Sequence, residues 1–133
     1  VGTSVMCVVN VCCGFVDLPK RIIFGGPMMG ISQYAEDVPI IKGTSGILVS
    51  KEVSSYEEGP CVRCGCCVDV CPMGLMPTEI YKLVKNKKFL KSKDYGVLDC
   101  IECGCCAYGC PSKIPLVHYL KYGKNEVWRL SKK

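Results

Sequence analysis

The apolar positions change their rhythm near residue 55. Before that point they come in short, dense runs: Val5 to Val11, Arg21 to Phe24, Ile40-Ile41 and Ile47-Leu48-Val49. Short runs rich in β-branched residues and bounded by turn formers predict strands. Gly25-Gly26-Pro27 predicts a turn, and Gly43-Thr44-Ser45-Gly46 separates the last two runs. Residues 1–55 therefore read as a small β-rich unit with too little apolar material for a full core. The expectation is part of a domain, cut at Val1 or completed by another chain. Ser54 to Gly59 reads as a linker.

Residues 56–133 follow a helical rhythm. Pro77 suits the first turn of a helix, and Ile80, Leu83, Val84 and, less regularly, Leu90 form one stripe. The opposite face of this 82–93 stretch carries Lys82, Lys85, Lys87, Lys88, Lys91 and Lys93. A second helix is expected from Ser112 or Ile114, with Pro115 in its first turn. Its apolar face is Leu116, Leu120, Gly123, Val127 and Leu130, and Gly123 there permits a close approach by a neighbour. The fold class implied is α+β, a β-rich unit followed by a helical module.

Two segments interrupt both rhythms. Cys61-Val62-Arg63-Cys64-Gly65-Cys66-Cys67-Val68-Asp69-Val70-Cys71-Pro72 returns 39 residues later as Cys100-Ile101-Glu102-Cys103-Gly104-Cys105-Cys106-Ala107-Tyr108-Gly109-Cys110-Pro111. Each block reads C-x2-C-x2-C-x3-C-P, the spacing that holds [4Fe-4S] clusters in two-cluster ferredoxins. In that arrangement the fourth cysteine of each block ligates the other cluster. The expected ligands are Cys61, Cys64, Cys67 and Cys110 for cluster A, and Cys100, Cys103, Cys106 and Cys71 for cluster B. Gly65 and Gly104 stand where the backbone turns tightly and is expected to aim N–H groups at sulfur. Pro72 and Pro111 redirect the chain. Four thiolates also suit zinc, but three close thiolates and a remote fourth fit the corner of a cubane better than paired C-x2-C zinc ligands do.

Thirteen cysteines in 133 residues would suit a disulfide scaffold in a secreted chain. Here the count is odd, the start at Val1 shows neither basic n-region nor cleavage site, and the cluster motifs need thiolates. A reducing cytosolic compartment is expected. Cys7, Cys12, Cys13, Cys66 and Cys105 are left over and read as non-ligands; no histidine lies near the first three to complete a metal site. His118, the only histidine, reads as a surface or packing residue.

No apolar run approaches the roughly 20 residues of a transmembrane helix. The formal charge of +5 is offset by the negative charge of two thiolate-bound clusters. The lysines of 82–93 read as a solvated face, a patch for an acidic redox partner, or a contact with anionic lipid. Nucleic acid is not expected, for there is no reading motif and no interleaved aromatics. Gly25-Gly26-Pro27-Met28-Met29-Gly30 is neither G-x-G-x-x-G nor a P-loop and reads as a structural turn. No nucleophile triad or carboxylate pair emerges, so no catalytic residue is assigned.

The order of Gly25-Gly26-Pro27-Met28-Met29-Gly30, Lys42-Gly43-Thr44-Ser45-Gly46-Ile47-Leu48, the two cysteine blocks and Pro111-Ser112-Lys113-Ile114-Pro115-Leu116-Val117 closely resembles the RnfC family, the C component of the Rnf complex. That complex is an ion-translocating ferredoxin:NAD+ oxidoreductase of bacterial membranes. The resemblance covers essentially the whole chain. It implies residues 1–55 as a partial soluble-ligand-binding β-grasp unit and 56–133 as a helical two-[4Fe-4S] ferredoxin-like domain. It further implies a peripheral protein on the cytoplasmic face of the membrane, partnered by other components of a membrane redox complex and by a redox donor or acceptor. FMN and NAD(H) belong, on this resemblance, to an upstream portion outside these residues. Cys66 and Cys105 depart from the family, which has other residues there, as does Cys12-Cys13 before Gly14. Three other accounts stand beside this one: a corrin reductase of propanediol-utilisation type, a free two-cluster ferredoxin, and a structural cysteine-rich module without iron.

Overall fold

The computed structural model describes residues 1–53 and 56–132. The chain forms two compact units, Val1–Ser55 and Tyr56–Lys133. The first carries a small open sheet and the second is helical, so the fold is of mixed α+β class. Ser54 and Ser55, the start of the expected linker, lie outside the described residues.

In the first unit, Val5–Val11 is a helix (α1), not the expected strand. An apolar run of this length does not by itself separate strand from helix; the residues at its ends do. Ser4 is extended, and its hydroxyl accepts the Met6 N–H at 3.3 Å, an N-cap. At the other end the Cys13 N–H bonds the Asn10 carbonyl and the Gly14 N–H the Val9 carbonyl, with Cys13 at φ 72°. That is a Schellman closure, with cysteine in the left-handed position glycine usually takes.

Three antiparallel strands follow: β1 (Arg21–Phe24), β2 (Ile31–Gln33) and β3 (Ile47–Ser50), in the order β2-β1-β3. Ile22 faces Gln33 on one side and Val49 on the other. β2 was not expected, since Ile31-Ser32-Gln33 lacks an apolar run. Gly25-Gly26-Pro27-Met28-Met29-Gly30 is the hairpin connection joining it to β1. Gly30 is required there, because a Cβ would meet the Phe24 carbonyl at 2.8 Å. Ile40-Ile41 is no strand. Ile40 instead exchanges backbone bonds with Gly2 and Thr3, beside an isolated bridge between Ser4 and Pro39. Among the described residues of this unit, Val5 and Ile22 are the buried apolar side chains, while Val11, Val16 and Leu18 are exposed.

In the second unit, two single-turn helices, α2 (Cys66–Asp69) and α5 (Cys105–Tyr108), sit inside the cysteine blocks. α3 (Pro77–Lys85) has Pro77 in its first turn, Glu79 near its N-terminus, and Lys82 and Lys85 in its last turn, which suits the helix dipole. Its buried stripe is Ile80, Tyr81 and Val84. The single helix expected over 82–93 is broken. Lys87 takes φ 57°, its N–H bonds the Val84 carbonyl, and the Lys88 N–H bonds the Leu83 carbonyl at 2.8 Å. This second Schellman closure ends α3; α4 (Phe89–Asp94) starts in a new direction and leaves Leu90 exposed. The expected lysine face is thus divided between two helices.

A short 3-10 turn, Val97–Asp99, leads into the second block, and α6 (Leu116–Ser131) closes the unit with Pro115 as its N-cap. Leu116, Val117, Leu120, Gly123 and Val127 form its buried face; Leu130 is exposed. Ile80, Val84, Val97, Leu120 and Val127 make one core cluster. A second gathers Cys67, Tyr81, Cys106, Cys110, Ile114, Leu116 and Val117. The rings of Tyr81 and Tyr119 meet edge-on at 4.7 Å. Gly123 lets α6 approach Val84 of α3, as its place on the apolar face suggested.

Candidate metal centre

The two cysteine blocks repeat in backbone as well as in sequence. Arg63 and Glu102, the residues before the second cysteine, both take positive φ, at 56° and 61°. Gly65 and Gly104, the residues after it, both sit at φ 84° and cap α2 and α5. Gly74 and Lys113, three residues past each final cysteine, are also left-handed. Glycine occupies that region freely; for other residues it costs about 1 kcal/mol. Three repeated reversals wind each loop round a space that its thiols can line.

The spaces are shared between blocks. One cavity of about 390 Å³ is lined by Cys61, Cys64 and Cys67 of the first block and Cys110 of the second, with Thr78, Glu79, Lys82 and Ile114 among the other walls. A second, of about 20 Å³, is lined by Cys100, Cys103 and Cys106 with Cys71 of the first block. Pro77, Val117 and Leu120 form its apolar wall. The cysteines expected as ligands are thus brought together in two sets of four, each drawing its last member from the other block. Neither Cys66 nor Cys105 lines either space.

The donor set fits iron–sulfur chemistry. Each set offers four soft thiols, and the carboxylates in the walls are in ion pairs, Glu79 with Lys82 at 2.6 Å and Glu102 with Lys124 at 3.5 Å. A single zinc at about 2.3 Å from each sulfur would pull four thiolates within about 4 Å of one another. The first set instead surrounds an open space. Among the described residues no group of three or more Cys, His, Asp or Glu is drawn together tightly enough for one metal ion.

Hydrogen bonds to sulfur come from positions the sequence did not indicate. The N–H of Leu75 bonds Cys71 Sγ and the N–H of Glu102 bonds Cys100 Sγ, both at 3.4 Å. The Cys66 N–H holds the Cys64 thiol below its ordinary value. Burial pushes Cys67 up, opposed by the hydroxyl and N–H of Thr78. It pushes Cys100 up and Cys106 up to about 12. Thr78 and Leu75 were missed because a lone hydroxyl and a backbone N–H leave no motif.

The remaining candidates lie elsewhere. The Cys66 side chain is hydrogen-bonded to Cys64 and that of Cys105 to Cys103, which raises both outer thiols. Cys7, Cys12 and Cys13 are exposed. His118 is exposed on α6. No helix is long and apolar enough to cross a membrane, among the described residues.

The family model for the 4Fe-4S dicluster domain matches residues 54–111, so two [4Fe-4S] clusters are the cofactor of this module. Over 129 residues, 95% of this chain, the sequence is 45% identical to the C component of the proton-translocating ferredoxin:NAD(+) oxidoreductase complex of Clostridium ljungdahlii. It is 42% identical over 96% of its length to the C component of the Na(+)-translocating complex of Acetobacterium woodii. It is also 42% identical over 98% to the C component of the ion-translocating oxidoreductase complex of Yersinia pestis. The chain spans 28%, 29% and 22% of those relatives. A cysteine repeat folded into two shared four-thiol sets, in a sequence this similar over nearly all its length, identifies the chain as the iron–sulfur-containing region of an RnfC-like protein.

Proposed function

We propose that this chain is the electron relay of the RnfC component in an ion-translocating ferredoxin:NAD+ oxidoreductase, with one cluster on Cys61, Cys64, Cys67 and Cys110 and the other on Cys100, Cys103, Cys106 and Cys71. The observation that carries it is the exchange of fourth cysteines between the two cavities. Bound there, each [4Fe-4S] cluster supplies a one-electron redox centre. The protein's part is to hold and insulate. Eight thiolates fix the sites. Ile114, Leu116 and Val117 keep water from the core between them, and Thr78 donates to Cys67. Crossing the ligands ties both loops to one another, so neither site forms without the other block.

On this reading residues 1–55 are a partial β-grasp unit and 56–133 the two-cluster domain. FMN and NAD(H) chemistry belongs to residues outside this chain. The protein is peripheral, on the cytoplasmic face of the membrane, docked to other components of the complex. The names of the relatives support this over a corrin reductase.

The test is iron and acid-labile sulfide per chain under anaerobiosis, with EPR after dithionite reduction, for the parent and Cys110→Ser. The parent should hold about eight iron and show two coupled reduced clusters. Cys110→Ser should perturb the site built on the first block, although Cys110 stands in the second. Zinc in place of iron, or a Cys110→Ser defect confined to the second block's own site, overturns the assignment.

A further inference from the structure

The two cavities are alike in their cysteines and unlike in their charges. Lys124, on α6, donates from Nζ to the carbonyl of Cys100 at 2.7 Å. The same ammonium lies 3.5 Å from Glu102 Oε1, and its side chain is only 15% exposed. It also sits over the Trp128 ring, 5.5 Å from the centroid. Its place is therefore set by the backbone of a cysteine on the second cavity, by a residue of the same loop and by an aromatic face. Among the described residues the first cavity has no such cation. Arg63, at the position matching Glu102, is exposed. Lys82 in that wall is more exposed than Lys124, at 43%, and is paired with Glu79 at 2.6 Å.

The cavities also differ in exposure. Cys64 and Gly65 are exposed on the first loop, whereas Cys103 is half-buried and Gly104 buried on the second. Reduction adds negative charge to a centre already negative from its thiolates. Removal from water disfavours the more highly charged form, and a nearby fixed cation favours it. Burial at the second site thus lowers its potential, and a largely buried ammonium beside Cys100, weakly screened by solvent, raises it.

We infer that Lys124 is a positioning counter-charge that sets the reduction potential of the cluster on Cys100, Cys103, Cys106 and Cys71, offsetting its burial and keeping it within electron-transfer range of its neighbour. Glu102 acts in the opposite sense, partly cancelling that charge. The inference rests on the relay reading above.

The opposed signs make the test. Lys124→Met removes a positive charge and Glu102→Gln a negative one from the pair they share, Glu102→Gln also releasing Lys121 at 4.0 Å, so loss of that pair alone moves the two variants alike. An electrostatic role moves them apart. In the whole protein, an EPR-monitored redox titration of Lys124→Met should lower one of the two cluster potentials about tenfold in the reduced-to-oxidised ratio, about 59 mV for one electron. The other potential should stay in place. Glu102→Gln should raise the same potential, and Lys124→Arg should keep it within about threefold of the parent, about 28 mV on the same scale. Iron and sulfide are counted in every sample. Full iron with an unmoved potential in Lys124→Met, or shifts of the same sign in Lys124→Met and Glu102→Gln, overturns the inference. If Lys124→Met does not load, Glu102→Gln decides: a raised potential supports the inference and an unchanged one overturns it. Absence of iron from the parent protein overturns the relay reading instead.

Discussion

Replacing Gly123 by alanine tests how closely α6 approaches α3, and the sign of the result is decisive. A Cβ on Gly123 would lie 2.5 Å from Val84 Cγ2 and 3.5 Å from Val97 Cγ2. Carbon atoms at contact are about 3.5–4.0 Å apart, so the new methyl overlaps Val84 by about 1 Å. Val84 and Val97 are 1% and 0% exposed, and neither can turn outward. Valine on a helix is also stiff about χ1. Overpacking of this kind costs about 1–3 kcal/mol. Against it stands the helix preference of alanine over glycine, about 0.8–1 kcal/mol. The balance is a loss of about 1 kcal/mol, or a melting midpoint lower by about 4–8 °C in a domain of 60–100 residues. Anaerobic melting followed by cluster absorbance at one fixed scan rate reads the shift, since loss of clusters makes unfolding irreversible. Val84→Ala removes the obstructing methyls, so Gly123→Ala should cost less in that background, a measurable coupling. If Gly123→Ala melts at or above the parent, as a glycine on an open helix surface would, the close packing of α6 on α3 is wrong.

Three further outcomes are expected. Lys87→Gly should stabilise the second unit by about 0.5–1 kcal/mol, because Lys87 holds a left-handed closure at a steric cost that glycine avoids; the same melting assay reads it, and a lower midpoint contradicts it. Cys66→Ser and Cys105→Ser should retain the parent's iron and sulfide, since neither residue lines a cavity; loss of about half the iron from either would make it a ligand. Burial holds the Cys106 thiol up to about 12, so it keeps its proton at neutral pH. Loading the apo-protein expels that proton with those of the other three thiols of its set, and Cys106→Ala should lose about half the iron and release about four fewer protons per chain in a pH-stat. For the metal-free fold the linkage runs the other way. A raised folded value contributes stability below the ordinary thiol range, and this is lost as pH climbs toward about 12, which urea titrations at two alkaline pH values would detect.

The readings that failed share a cause. Val5–Val11 looks like a strand because its residues favour strands, yet it is capped at both ends as a helix by Ser4, Cys13 and Gly14. The stripe over 82–93 looks continuous because lysine is a good helix former, but Lys87 turns the chain and Leu90 leaves the core. In both places a single backbone dihedral outside the helical region decides, and side-chain type biases it only weakly. Leu83 also proved less central than Tyr81, whose hydroxyl meets Glu58 and Lys85 while its ring packs on Tyr119. An aromatic with a polar tip is hard to place from periodicity alone.

What the amino-acid order determines here is local. Three of the four cysteines within seven residues, those at C-x2-C-x2-C spacing, with a glycine to reverse the backbone, bring three thiols to one space whatever the rest of the chain does. The proline at the start of α3 and the apolar face of α6 are equally local. How deeply each loop is covered, and that Lys124 reaches Cys100 from 24 residues away, depend on the packing of α3 and α6. Those contacts join residues far apart in the chain. Their energies exist only once the intervening segments have been ordered, so tertiary structure alone could decide them.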